Sequence, residues 1–454
     1  MVNRMICLSA GIRSPSRQLQ GDKDTVPTAG RTTPALLATA ILGLFAAAGG
    51  SHAGDWPQIL GPDRSGRAAA DERLADSWPA AGPKVIWKKA VGSGYAGIAV
   101  ADNRAFLFHR QGGKEVLEAL DAATGKPLWS ESSATTFRPQ VGGGDGPLCV
   151  PVVHGRVVIT YGAQGVLTAR EAASGKQLWQ RRTHEDFAAQ EGYFGAGSTP
   201  VVAGGLVVVN VGGTKVAGKK ADCGVVAFRL DSGEPVWTAS AEPASYAAPV
   251  AVEVGGQARV LMVTRYQCLL LDPATGKIAW SFPFGMRGPT VNAATPVFGE
   301  AGHLFVTASY GIGSVYAAFD ATTARPQWSG TETLASQYCT PVVVGDHSYC
   351  LDGREDGPPG DLKCFEVATG KVAWQEKGFG YGTLLAADGK LIIARNDGGL
   401  ALARATAAGP KILGSARPLQ GSVRALPALS CGRLYLRDDK ELVCLDLGVA
   451  GPAR

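Results

Sequence analysis

Six segments of the chain can be laid over one another: ALDAATGKPLW (119–129), AREAASGKQLW (169–179), FRLDSGEPVW (228–237), LDPATGKIAW (271–280), FDATTARPQW (319–328) and FEVATGKVAW (365–374). A seventh, ARATAAGPKIL (403–413), keeps the length and has Leu413 where the tryptophan would stand. Trp87, in KVIWKKA, looks like the last strand of a copy whose first part lies elsewhere. From Trp87 to Trp374 the tryptophans are separated by 42, 50, 58, 43, 48 and 46 residues, the spacing of the blades of a β-propeller.

Each copy reads as a strand, a tight turn and a second strand. Gly125, Gly175, Gly233, Gly276 and Gly370 occupy a turn position that wants a left-handed backbone, where a Cβ would be penalised. Ala324 breaks the pattern, so that turn either differs or is strained by ~1 kcal/mol. Trp129, Trp179, Trp237, Trp280, Trp328 and Trp374, with Trp87, read as structural residues of outer strands packing on the neighbouring blade.

A second hairpin precedes each copy, clearest in STPVVAGGLVVVNVGG (198–213), TPVFGEAGHLFVTAS (295–309) and TPVVVGDHSYCLDG (340–353), which makes four strands per blade. Related starts at Gly97, Pro147, Ala247, Gly382 and Ala425 bring the inner strands to eight. The last segment, GRLYLRDDKELVCLDL (432–447), stops after a third strand, and 84–90 would supply its fourth. The expected fold is therefore all-β: an eight-bladed propeller of four-stranded antiparallel blades over 84–447, closed by pairing of N- and C-terminal strands, with no exposed sheet edge at the seam.

Composition agrees. Charged residues are only 18%, and 61 glycines, about twice the usual ~7%, are too many for a helical bundle. Residues 1–53 read as a leader: an apolar run, Ala35 to Ala48, follows Arg31 and ends in small residues at Ser51 and Ala53, the pattern of a cleavable signal peptide. Residues 1–30 are long for its basic region, which leaves a start nearer Val26 open. Export places the mature chain in the periplasm or outside the cell, without stable membrane insertion. Residues 54–83 form a lead-in, and 448–454 a tail. Without the leader 39 basic and 37 acidic residues remain, interspersed, which argues against nucleic-acid binding. Eight cysteines also remain, an even number that permits disulfides; several sit where strands expect a small apolar residue and read as buried thiols. No C-x-x-C occurs.

The L-D-x-x-T-G-K-x-x-W signature resembles the repeat of the pyrroloquinoline quinone (PQQ)-like propellers over roughly residues 84–447. That superfamily contains quinoprotein alcohol dehydrogenases and also BamB, the non-enzymatic propeller of the outer-membrane β-barrel assembly machine. DWPQILGPDRSG (55–66) is similar to the start of exported PQQ-like propellers of the planctomycete type. Membership implies the fold and does not choose a function. A dehydrogenase of this kind would need PQQ and calcium, a set of Glu, Asn and Asp around them and commonly a vicinal cysteine pair; this chain has no adjacent cysteines and no alignable set.

Other candidates are weaker. Asp352, Glu355, Asp356 and Asp361 in DGREDGPPGD offer oxygen ligands without the spacing of a calcium loop, and read as a solvated loop. His109, His154, His184, His303 and His347 sit in no hydrolase motif; His184, beside Glu185 and Asp186, reads as part of a surface loop. Superposing the inner-strand starts aligns Tyr95, Leu148, Gly197, Tyr246, Ala293, Tyr338, Tyr381 and Arg424. Four tyrosines and an arginine, residue types favoured at binding hot spots, would then ring one mouth of the channel as a ligand site, or simply fill its taper. The expectation is a non-enzymatic scaffold that binds a protein or envelope component through one face, as in outer-membrane protein assembly, with no cofactor; a PQQ- and calcium-dependent alcohol or sugar dehydrogenase is the alternative.

Overall fold

The computed structural model describes residues 54–448 apart from 214, 217–218, 221 and 300–301. The expected leader and all but the first residue of the expected tail lie outside the described residues. Eight four-stranded antiparallel sheets form the ring: 98–134, 152–182, 201–239, 250–283, 297–330, 342–376, 382–416, and a last blade made of 428–446 with Lys84–Ala90. These are called blades 1 to 8. In blades 1 to 7 strands run outward from the channel in chain order, and inner strands such as Gly382–Ala387 are buried throughout.

Blade 8 closes the ring. Lys84–Ala90 pairs antiparallel with Glu441–Asp446, Lys84 opposite Asp446, Trp87 opposite Cys444 and Ala90 opposite Glu441. One hydrophobic cluster crosses the seam, joining Trp87, Leu445 and Tyr435 to Leu107 and Leu120 of blade 1 and Leu402 of blade 7.

The tryptophans bind each blade to the next by one recurrent contact. The Trp87 indole donates to Ala122 O (3.2 Å), Trp129 to Ala172 O (3.1 Å), Trp179 to Leu230 O (2.8 Å) and Trp237 to Pro273 O (2.9 Å). Trp280, Trp328 and Trp374 do the same to Asp320 O, Val367 O and Thr406 O. Each acceptor lies in the turn before the next blade's outer strand. The glycine of that turn is required twice over. Gly125 has φ +72° and Gly233 φ +68°, and a Cβ on either would come within 2.5–2.6 Å of the preceding blade's indole.

Two turns depart from the rule. At Ala324 the turn differs: Asp320 Oδ1 accepts the N–H groups of Thr322 and Thr323 (2.8 and 2.9 Å), and the backbone from 320 to 324 avoids the left-handed region. In blade 7 the register corrects the position of the missing tryptophan. Trp129 faces Ala119 and Trp237 faces Ala227; the residue facing Leu402 in the same way is Gly414, and Leu413 is the bulged residue before it. The space over Gly414 is filled by Trp78 of the lead-in, whose ring would lie about 3.2 Å from a Cβ there. The eighth indole thus comes from outside the repeat.

Beside the seam, Lys89 Nζ lies 3.0 Å from Glu118 Oε2, and Glu118 Oε1 lies 3.8 Å from His109 Nε2. His109 Nδ1 accepts the Gly92 N–H (2.7 Å), which leaves the ring proton on Nε2, facing Glu118. Burial pushes the Glu118 carboxyl up, but His109 and Lys89 outweigh it and hold the group below its ordinary value. A depressed carboxyl stabilises the fold above its unfolded pKa, and that contribution is lost as pH falls through the folded value. Glu118→Gln is expected to cost about 1–2 kcal/mol near pH 7 in urea unfolding. The gap from wild type should close below about pH 4; a pH-independent gap would remove the ionic account.

Candidate functional site

In a ring of four-stranded meanders the two faces carry different connections. Links from inner to second strand and from third to outer strand emerge on one face and are short, as at 102–103, 204–205 and 345–346. Links between blades and between second and third strands emerge on the other. They include 135–151, 183–200, 284–296, 353–360 and 417–427.

The short-turn face is sealed by the lead-in. Trp56, buried, bridges Val100 of blade 1; Pro57 O accepts from Val153 of blade 2; Ala68 pairs with Ala386 of blade 7; Ala75 N donates to Leu447 O. Between these contacts Arg64 enters the channel. Its guanidinium is buried and donates to Thr199 O (3.2 Å), Pro249 O (2.7 Å) and Pro200 O, while Nε donates to Gln58 (2.8 Å). Without a carboxylate in contact, burial lowers the Arg64 pKa to about 9.

The long-loop face is held by side chains at the ends of second strands. Arg110 donates to Phe137 O and Asp145 O, Arg265 to Thr290 O and Gly288 O, Arg395 to Phe379 O, and Arg437 to Gly92 O. These carbonyls lie in the interblade loops, so the loops are fixed by charge-assisted bonds.

The aligned residues fall at the inner-strand starts on this face, in unequal roles. Gly197 lies between Leu148 and Tyr246, either of which a Cβ there would strike. Tyr381 is buried, and its hydroxyl accepts the N–H groups of Tyr338 (2.9 Å) and Cys339 (3.2 Å). The Tyr246 hydroxyl accepts Phe194 N–H (3.0 Å) and is pushed up to about 12 by burial; it pins loop 191–197. Tyr338 stands edge-on to Tyr381 at 4.9 Å, and Tyr95 lies under the Arg424 guanidinium at 4.8 Å. Tyr338 with Tyr381, and Tyr95 with Arg424, are thus brought together, while Tyr246 joins Phe194.

Repeat alignment missed the residues that link these pairs. Glu355 reaches across to Arg424 (2.6 Å), and Arg354 forks onto Asp356 while lying 4.5 Å over Tyr310. Gln337 joins the two, donating to Tyr310 and accepting from Glu355 N–H. Farther round, Arg265 lies between Tyr193 and Tyr266, and Arg287 over Tyr266. The only sequence signal was the acidic run itself, which reads there as a solvated loop.

That run is not merely solvated. Asp352 pairs with Lys363 (2.7 Å), Glu355 with Arg424 and Asp356 with Arg354, while Asp361 accepts Gly378 N–H and Gln375. It borders an open cleft of about 490 Å³ between Ser309 and Pro359. Calcium needs six to eight oxygens, and those of this loop are engaged by cations and amides. Among the described residues no three His, Cys, Asp or Glu side chains group as metal ligands. His184 stands edge-on to Tyr161 with its pKa lowered by burial, while Glu185 and Asp186 point into solvent. The eight described cysteines are unbridged, and all but Cys431 are buried. No described helix is long and apolar enough to cross a membrane.

A family model described as outer membrane protein assembly factor BamB matches residues 113–376 and 221–448. Among solved structures, BamB from Moraxella catarrhalis is 17% identical with a TM-score of 0.59, covering 80% of this chain and 99% of that one. The computationally designed Ika8 protein is 12% identical with a TM-score of 0.53, covering 80% and 100%. Quinohemoprotein alcohol dehydrogenase from Comamonas testosteroni is 15% identical with a TM-score of 0.49, covering 88% and 81%. At such identities the structural likeness shows the fold alone. No curated protein sequence matches. The repeats, the eight closed blades and a family match over most of the chain make this protein a member of the PQQ-like repeat propellers, the family described by outer membrane protein assembly factor BamB.

Proposed function

We propose that this protein is an exported, non-enzymatic scaffold that binds a protein partner through its long-loop face and serves cell-envelope or outer-membrane protein assembly. The asymmetry of the two faces carries this reading. One is flat and closed by the lead-in; the other presents loops fixed in advance, which lowers the ordering cost of binding. Val141, Tyr193 and Met286 on that face are 52%, 42% and 45% exposed, with Arg265 stacked on Tyr193 and Arg287 on Tyr266. Large apolar and aromatic groups beside guanidinium make the composition of an interface core. The description of the family supports the assembly role.

A photo-crosslinking residue at Tyr193 or Met286 should give discrete adducts in the native envelope, and one at Gly155 or Asp346 on the sealed face should not. Equal labelling from both faces would overturn the reading. The dehydrogenase alternative has a separate test: protein incubated with PQQ and calcium is expected to reduce no dye with alcohols or sugars, and substrate-dependent turnover would replace the scaffold with an enzyme.

A further inference from the structure

The loop between blades 4 and 5 carries a tip, Met286 to Pro289, whose four residues are all exposed. An exposed loop tip is ordinarily mobile, but this one is fastened from beneath. Thr290 donates to Met286 O through its hydroxyl (2.7 Å) and to Gly288 O through its N–H (2.8 Å). Arg265, only 8% exposed, donates to Gly288 O (2.8 Å) and to Thr290 O. The buried Asn292 amide donates to Thr264 O, Arg265 O and Phe284 O (3.0, 3.1 and 3.3 Å). Met286 and Arg287 are therefore presented in one arrangement before anything binds.

Ring contacts carry the patch across to the loop between blades 2 and 3. Arg287 lies 5.9 Å over the Tyr266 ring, and Arg265 lies 5.7 Å from that ring and 6.0 Å from Tyr193. The other stacked arginines of this face each meet an acid: Arg354 meets Asp356, Arg395 meets Asp397 and Arg424 meets Glu355. Among the described residues neither Arg265 nor Arg287 is ion-paired; Arg265 directs its donors to carbonyls, and Arg287 has the tyrosine ring. Glu191, two residues before Tyr193, accepts the Gln164 amide instead (3.1 Å). Two positive charges thus stand without counter-charges beside an exposed methionine and an exposed tyrosine.

We propose that this patch docks an acidic linear segment of a protein partner, one that carries an apolar side chain among its carboxylates. A carboxylate takes the free Arg287 guanidinium in two parallel bonds, and the segment's negative charge meets the field of Arg265 from outside. The apolar side chain covers Met286 and Tyr193, both adaptable contact residues of interface cores. That the segment belongs to a protein rests on the scaffold reading above.

The test titrates three peptides, capped at both ends, into the full chain by calorimetry: Gly-Asp-Glu-Phe-Glu-Asp-Gly, its counterpart with Asn and Gln in place of the acids, and the acidic peptide with Ser in place of Phe. The first should bind about tenfold or more tighter than the neutral peptide and about threefold or more tighter than the serine one. Arg287→Glu, at a side chain with no hydrogen bond or ion pair among the described residues, should weaken the first peptide about tenfold or more and leave the melting temperature in place. Arg156→Glu, an equal change of charge on the sealed face, should leave binding unaltered. A neutral peptide that binds as tightly, no gain from the phenylalanine, no binding at millimolar concentration, or an equal loss in both variants would each overturn the proposal. Tyr193 adducts in the native envelope that persist after such a failure would leave the scaffold standing with a partner of other chemistry, and their absence would remove both readings together.

Discussion

Arg64→Ala is expected to lower unfolding free energy by about 2–4 kcal/mol, because three carbonyls just ahead of the inner strands lose their donor and the long side chain leaves a void. Blades 3 and 4 supply those carbonyls, through Thr199, Pro200 and Pro249, so the loss falls where the lead-in grips the ring. The opposing term is real: a guanidinium lowered to about 9 by burial has been taken from water without a counter-charge. It is the smaller term here, since four directed hydrogen bonds replace its hydration. Urea unfolding with near-UV detection reads the difference. Unchanged stability would show that water from the channel serves the carbonyls as well as Arg64 does.

The second large effect lies at the seam. Trp87→Ala should cost about 3–5 kcal/mol, as Trp87 is only 9% exposed, lies 5.9 Å from the Tyr435 ring and donates to Ala122 O. Trp237→Ala, at a half-buried indole, should cost about 1–3 kcal/mol although its indole makes the same contact with the next blade. A second readout separates seam opening from general weakening. Cys444, buried opposite Trp87, should become reactive toward a thiol reagent in the Trp87 variant, in addition to the exposed Cys431. Equal losses at both tryptophans, with Cys444 still protected, would mean that the seam is no more sensitive than any other junction.

Blade number and closure were legible because they follow from periodicity: a repeated strand–turn–strand unit announces itself each time, and a missing outer strand at one end matches a spare one at the other. The reason for the turn glycines was half legible. Their left-handed backbone follows from local chemistry, whereas the indole pressed against Gly125 and Gly233 comes from another blade. Gly414 shows the limit. The repeat aligns Leu413 with the tryptophans, but the turn of blade 7 is longer, facing Leu402 with Gly414 where blade 1 faces Ala119 with Trp129, and Trp78 fills the place from a segment with no repeat in it. Nor does periodicity reach the pairing of Glu355 with Arg424, which are 69 residues apart. The tyrosine alignment found positions, but hydroxyl partners decide roles, and those lie in loops of irregular length.

The seam also constrains how the molecule is made. Lys84–Ala90 leaves the ribosome long before Glu441–Asp446, and until then its edge groups have no strand to pair with. Seven sectors can zip one after another from local hairpins, but the ring cannot lock until almost the whole chain has emerged. A product truncated before residue 441 would keep an arc of formed blades with two bare ends, and such arcs are prone to join one another rather than themselves.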